Sequence, residues 1–291
     1  MKCYFNLPEN IKPLYKKEWF KQIKDGISKH SNYLNKVNSV EEAEIIFCLV
    51  EEVYQNYDKF KEDFDSRKKF IIAVAQRDNL NINYDIIKNH YVIAFLSCFK
   101  YQNDNPKNLT LLNVSSIYKS DFDKKPKLLK DRKYDVAFMG RITYDNPEIT
   151  SHRTNILNKL SEICKKNNLK YIASEKLDKG QYLKTLNETK IFISPWGYGP
   201  WSLKDVECIC KGVHVIVPKN NLISFPNFYE NFDDFDNNLD LLEEKILHIL
   251  KNINKAQIQV NKNRLLFESF EFKNQIILLD NYLIKYFENN K

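Results

Sequence analysis

Ser194, Trp196, Gly197, Tyr198 and Gly199 are followed at once by Ser202, Lys204 and Glu207, an order of residue types that suits the binding of a phosphorylated ligand. Ile191 to Ile193 and Val213 to Val217 are short β-branched runs, the second bracketed by Gly212 and Pro218, so both read as strands. Ser202 stands where a helix N-cap belongs, and Asp205 follows at capping-box spacing. Leu203, Val206 and Cys210 then form one apolar stripe, and Gly212 supplies the left-handed residue that ends the helix. The segment is therefore strand, glycine loop, helix, strand, and two parallel strands joined by a helix are the implied unit. Its loop empties onto a helix N-terminus, where unpaired N–H groups and the positive end of the dipole favour phosphate. Gly197 and Gly199 let a ligand approach the backbone, and Glu207 is placed to reach a ribose hydroxyl, as an acid does in dinucleotide sites. A second reading stays open: a tight aromatic turn, with Glu207 paired to Lys211 on a solvated helix face.

The elements that position this loop repeat along the chain. At 291 residues the sequence suits two domains of ordinary size, and 43% hydrophobic residues are enough to give each a core. Cys3 to Phe5, Ile45 to Val50, Phe70 to Ala75 and Tyr91 to Leu96 read as strands, with Leu109 to Val114 a weaker fifth. Helical faces lie between them, one made by Trp19, Phe20, Ile23 and Ile27, another by Val53, Tyr57, Phe60 and Phe64. Such alternation implies a parallel sheet covered by helices over residues 1–120. Residues 121–133 are highly charged and poor in apolar side chains, which is the composition of a linker. A second alternating series occupies 134–255. It starts with a strand from Tyr134 that closes at Gly140, and continues with a helix from about Ser151 to Lys166, a strand from Leu169 to Ala173, a helix around Tyr182 to Glu188, and the glycine-loop unit. Phe225 to Phe235 is aromatic and acidic without a clean period and reads as loop. From Leu239 the pattern is helical, and a tail over 256–291 is long enough to pack back on the first domain.

Charge and cysteine usage narrow the function classes. The net charge of +7 is spread along the chain with no long basic block, which suits a small anionic ligand and not a nucleic acid. Cys3, Cys48, Cys98, Cys164, Cys208 and Cys210 fall mostly in apolar patterns without a Cys-x-x-Cys pair, as expected of reduced thiols in a cytoplasmic protein. No run of eighteen apolar residues occurs, so no transmembrane segment is expected. Asp63 and Asp65, Asp121 and Asp123, and Asp234 and Asp236 form Asp-x-Asp pairs, but none directly follows a convincing apolar strand, and the five histidines show no ligand-like spacing. No metal site is expected.

Three features taken together resemble the nucleotide-sugar-binding half of GT-B glycosyltransferases, particularly the exostosin-like group with its relatives in bacteria and large DNA viruses. The first is the apolar strand Val136 to Met139 closed by Gly140, with Arg153 on the next helix. The second is the Ser194-Pro-Trp-Gly197 loop. The third is the basic and acidic pair Lys204 and Glu207, followed by Gly212 and an aliphatic strand. The resemblance covers about residues 134–218, and the chain departs from the pattern in having Lys204 where Arg is usual, Cys208 where a small residue follows the acid, and Pro200 at a position often polar.

It implies an α/β protein with two Rossmann-like domains facing a cleft, the GT-B arrangement, with C-terminal helices. The implied reaction moves a sugar from a nucleoside-diphosphate sugar, UDP-linked by preference, to a hydroxyl of a glycan or other acceptor, with no cofactor required. Donor contacts are expected from Gly140, Arg141, Arg153, Ser194, Trp196, Gly197, Tyr198, Gly199, Ser202, Lys204 and Glu207. His152 and Arg153 also fall in the expected first turn of a helix, where positive charge opposes the dipole unless an anion compensates or the side chains reach solvent. An inverting enzyme needs a base on the acceptor hydroxyl. Strand ends of the first domain offer Asp78, which follows the most apolar strand, with Glu51 as the alternative. The rival classes are a nucleotide-sugar-binding or scaffold protein without turnover and, on positive charge and aromatics alone, a nucleic-acid-binding protein.

Overall fold

The computed structural model describes residues 1–6, 14–50, 53, 57–74, 91–97, 99–101, 108–110, 122–175, 177–197, 202–219, 222–224, 227–236, 238–269 and 272–290. The chain divides into two compact units, one of Met1–Asn113, Ile223–Phe225 and Phe270–Lys291, the other of Val114–Leu222 and Pro226–Ser269.

In the first unit β1 (Lys2–Asn6), α1 (Leu14–His30), β2 (Asn35–Lys36), β3 (Ile45–Leu49), α2 (Tyr57–Arg67), β4 (Phe70–Val74) and β5 (Val92–Ser97) follow in sequence. After β6 (Phe99–Tyr101), β7 (Asn108–Thr110) closes a sheet of order β2-β1-β3-β4-β5-β7 in which every pair is parallel. The inner strands β3 and β4 are apolar along their length because both faces are covered, the condition of a parallel sheet. Phe5 stacks on Phe47 and meets Phe20 of α1 edge-on, while Ile46, Cys48, Ile71 and Ala73 bury the opposite face against Val53 and Phe60.

The second unit holds β8 (Tyr134–Met139), α3 (Pro147–Lys166), β9 (Tyr171–Ser174), α4 (Lys179–Asn187), β10 (Thr189–Ile193), α5 (Leu203–Lys211) and β11 (His214–Pro218). After β12 (Leu222–Ser224), most of which belongs to the first unit, come β13 (Asp233–Phe235), α6 (Leu242–Lys251) and α7 (Ile253–Ser269). Its parallel sheet has the order β13-β11-β10-β8-β9. Val136 and Phe138 face one core with Ile191, Ile193 and Ile216, and Ala137 and Met139 face the other with Phe192, Val215 and Val217. β13 lies inside the stretch expected to be loop. Its sequence, Asp-Asp-Phe, has no apolar run, yet one buried residue, Phe235, is enough for an edge strand paired to β11.

Two boundaries differ from the sequence reading. Residues 122–133 are anchored on the second unit: Leu129 is fully buried, the Asp123 amide donates to the Cys210 carbonyl, and Arg132 is buried among backbone carbonyls. The second unit also continues past residue 255, because α7 sinks Ala256, Val260 and Phe267 into it. The final helix, α8 (Phe272–Asn289), belongs to the first unit, where Asp280 accepts bonds from the Ser31 hydroxyl and the Asn32 amide and the Tyr282 hydroxyl donates to the Ile93 carbonyl. Among the described residues no helix is long and apolar enough to cross a membrane.

Gly212 ends α5 in the left-handed region at φ +63°, as its sequence position requires, and a Cβ there would lie 2.9 Å from Cγ of Pro126. A Gly212→Ala variant is expected to lose about 1–3 kcal/mol from backbone strain and crowding together, read as a lower urea midpoint at unchanged slope.

Candidate functional site

In chain order the second unit lays down β8, places β9 on one side of it and β10 on the other. The connections leaving β8 and β10 therefore run to opposite flanks, and in an open parallel sheet the crevice outside such a pair of strand ends is where ligands bind. Two backbone bonds show the parting directly. The Gly140 amide donates to the Ser174 carbonyl at the end of β9, whereas the Ser194 amide donates to the Ile216 carbonyl of β11.

Two cations from the flanking helices enter this opening. Arg153 of α3, only 4% exposed, donates from Nη1 to the Arg141 carbonyl, from Nη2 to Pro195 and from Nε to Trp196. Lys204 of α5 donates from Nζ to the Met139 carbonyl at 2.8 Å, with its ammonium 4.7 Å from the centre of the Tyr182 ring. Burial lowers the Lys204 pKa from its usual value, and nearby Glu207 partly offsets this. Gly140 is the residue that makes room: at φ +142° it adopts backbone that side chains rarely take, and a Cβ would fall 2.7 Å from Nζ of Lys204. Gly197 lies on the other side, its Cβ position 3.7 Å from Nη2 of Arg153 and 3.8 Å from the Tyr144 hydroxyl. The exposed Arg141 side chain donates from Nε to the Thr143 carbonyl and lies over the Tyr144 ring, which Arg153 also approaches.

Helix α5 is fixed at both ends. Ser202 is its N-cap, with Oγ accepting from the Lys204 amide. Asp205, 3% exposed, was expected as the reciprocal member of a capping box, but its carboxylate accepts from the Ser194 hydroxyl at the end of β10 and from the Tyr229 hydroxyl. Ser194 is thus buried and engaged with Asp205. At the other end Arg264 of α7 donates to the Ile209 and Cys210 carbonyls, and Arg132 donates to Lys211. Cations at a helix C-terminus meet the negative end of the dipole. Burial lowers the pKa of both guanidiniums, that of Arg132 to about 10.

The expected first-turn position of His152 and Arg153 needs correction. α3 begins at Pro147 with Asn146 as N-cap, whose side chain accepts from the Glu148 and Ile149 amides. Asn before Pro before Glu is a helix-start signal, and it places His152 and Arg153 in the second turn. His152 stacks on the partly buried Trp196 at 4.0 Å and 19°. Its Nε2 is buried without a hydrogen-bond partner among the described residues, and burial, with Arg153 beside it, pushes its pKa down to about 4. It is a neutral packing ring, not a cation. Gly140, Arg141, Arg153, Ser194, Trp196, Gly197 and Lys204 are thus brought together at the two strand ends, with Ser202 and Glu207 on the adjoining helix start. Tyr198, Gly199, Asp78 and Glu51 lie outside the described residues. The sequence carried no signal for Tyr144 and Tyr182, whose rings lie under the cations.

No protein-family model matches the chain. No curated protein matches it either. Among solved structures, TarM superposes with a TM-score of 0.52 at 16% identity, covering 82% of this chain and 54% of TarM. An S. aureus TarM variant in complex with Fondaparinux, alpha-GlcNAc-glycerol and UDP gives 0.50 at 13% identity, over 82% of this chain and 55% of the other. The chain spans little more than half the length of TarM. The fold is that of the GT-B glycosyltransferases, two Rossmann-like units each built on a parallel sheet covered by helices.

The depressed His152 pKa has a consequence for stability. Unfolded chains take up the proton near pH 6.5, the folded chain only near pH 4, so stability present at neutral pH is lost as pH falls through that window. Full linkage would give about 3 kcal/mol, and solvent screening of this partly exposed ring reduces the expected loss to the order of 1 kcal/mol. His152→Phe, which keeps the stack on Trp196, should flatten the fall in melting temperature between pH 7 and pH 4.5; an unchanged slope would show that other groups carry it.

Proposed function

We propose that the chain is a glycosyltransferase that moves a sugar from a nucleoside-diphosphate sugar, UDP-linked by preference, to a hydroxyl of a glycan or other acceptor. The observation that carries this reading is the convergence at the β8/β10 strand ends of two glycines, Gly140 and Gly197, two cationic side chains, Arg141 and Lys204, and the start of α5. The diphosphate meets the Lys204 ammonium, which the missing Cβ of Gly140 admits to the crevice, and approaches the chain at Gly197. As the glycosidic bond to the donor breaks, negative charge develops on the leaving diphosphate, and the Lys204 ammonium, the Arg141 guanidinium and the N-terminus of α5 stabilise it without a metal. Glu207, one turn further along α5, receives a ribose hydroxyl, and Trp196, supported from behind by His152, shapes the base pocket. The acceptor hydroxyl loses its proton to Asp78, with Glu51 as the alternative base.

Placement in the exostosin-like group rests on the motif pattern of residues 134–218. The preference for uridine draws support from the TarM variant, which was solved with UDP. Action in the cytoplasm belongs to the same reading and draws support from thiol usage, and independence of a cofactor rests on the resemblance alone.

Binding of UDP is expected to raise the melting temperature in proportion to occupancy. Lys204→Ala should weaken UDP about 10-fold to 100-fold, the worth of a charged hydrogen bond, and Glu207→Ala should weaken it without lowering the melting temperature of the free protein. Release of sugar from UDP-sugars distinguishes an enzyme from a binder: UDP binding without hydrolysis or transfer from any donor would leave a nucleotide-sugar-binding protein. A melting shift with oligonucleotides that falls steeply with salt, and none with UDP or GDP, would make it a nucleic-acid binder.

A further inference from the structure

Arg153 is the only side chain among those described at the two strand ends that hydrogen-bonds the backbone of both departing segments. Its Nη1 holds the carbonyl of Arg141 on the β8 side, and its Nη2 and Nε hold Pro195 and Trp196 on the β10 side. The same two segments are drawn apart by the Gly140 bond to Ser174 and the Ser194 bond to Ile216. Planar geometry matters here, since a guanidinium presents its donors in a rigid fork and an ammonium does not. Its neighbour on α3, His152, supports the Trp196 ring, so one helix turn fixes both the backbone and the indole of that residue.

We propose that Arg153 is a positioning residue that sets the width of the donor crevice, holding Gly140 and Gly197 at the separation a diphosphate needs, and that it is not itself a phosphate ligand. The proposal rests on the donor reading above for its ligand, but the bridge itself is independent of any ligand. Three of its five N–H donors, at least one on every nitrogen, already go to backbone carbonyls and the side chain is buried, whereas Arg141 is exposed and its Nη atoms carry no hydrogen bond among the described residues. Charge at the crevice is therefore supplied by Arg141 and Lys204, and spacing by Arg153.

The test uses the full chain and two readouts. Hydrogen exchange on the free protein should show Arg153→Lys, which keeps the charge and loses the fork, opening the segments 140–144 and 194–197 together by tenfold or more, with the β8 and β10 amides unchanged. Titrations with UDP and with uridine should then show Arg153→Lys weakening both by a similar factor, about tenfold, because the Trp196 segment moves with the phosphate loop. Arg141→Ala should weaken UDP and leave uridine alone, with the difference shrinking at high salt. The proposal is overturned if Arg153→Lys leaves both segments protected, or if Arg153→Met, folded by circular dichroism, loses UDP while binding uridine normally, the pattern of a direct phosphate ligand. Should the wild-type chain bind neither UDP nor uridine, the donor reading falls, and hydrogen exchange alone still decides whether Arg153 bridges the two segments.

Discussion

The parting of the chain between β8 and β10 is the constraint on which the second unit turns. Two adjacent parallel strands end side by side, yet their continuations are bonded to β9 on one flank and β11 on the other. That leaves an opening at the middle of the sheet whose walls are backbone, and backbone polar groups in such a place must be paired or face a ligand. The helices that follow each strand send a cation back into the opening, Arg153 from α3 and Lys204 from α5, and both settle on carbonyls. Desolvation of these cations is offset by the hydrogen bonds they make, and the opening gains a positive character that an anion can use.

The surroundings are arranged to keep that opening in register. Asp205 ties the start of α5 to the end of β10 through Ser194 and to Tyr229, and the far end of the same helix is held by Arg132 and Arg264. A nine-residue helix has little stability of its own, so its position is set by these contacts and by the burial of Val206, Cys208, Ile209 and Cys210. The apolar residues supply the adhesion, and the polar ones fix rotation and axial position.

How much of this was legible depended on whether the cause was local. The inner strands β3, β4, β8, β10 and β11 stood out as apolar runs, whereas the edge strand β2, of Asn35 and Lys36, did not. Gly212 and Ser202 were readable because a helix end is written within a few residues, and the grouping of Gly140, Arg153, Gly197 and Lys204 came from the resemblance to a nucleotide-sugar-binding half, not from local spacing. The start of α3 was misplaced although Asn146, Pro147 and Glu148 announce it, because the apolar stripe that drew attention begins a turn later. β13 was lost because only Phe235 of its three residues is buried. The partners of Asp205, Arg132, Arg153 and Arg264 are set by tertiary packing between residues far apart in sequence, and no spacing rule encodes them.

Arg132 and Arg264 come from before and after the sheet in the sequence, and both end on the last turn of α5. The second unit is thereby closed by its own extremities: Arg264 and the ring of Phe122, 4.4 Å from it, bring the two margins of the unit onto one helix end. A fragment trimmed to the alternating strands and helices, from Tyr134 to Lys255, would discard both guanidiniums and leave the carbonyls of Ile209, Cys210 and Lys211 without them. The compact unit therefore reaches from before Phe122 to Ser269, well outside the strands that define its architecture.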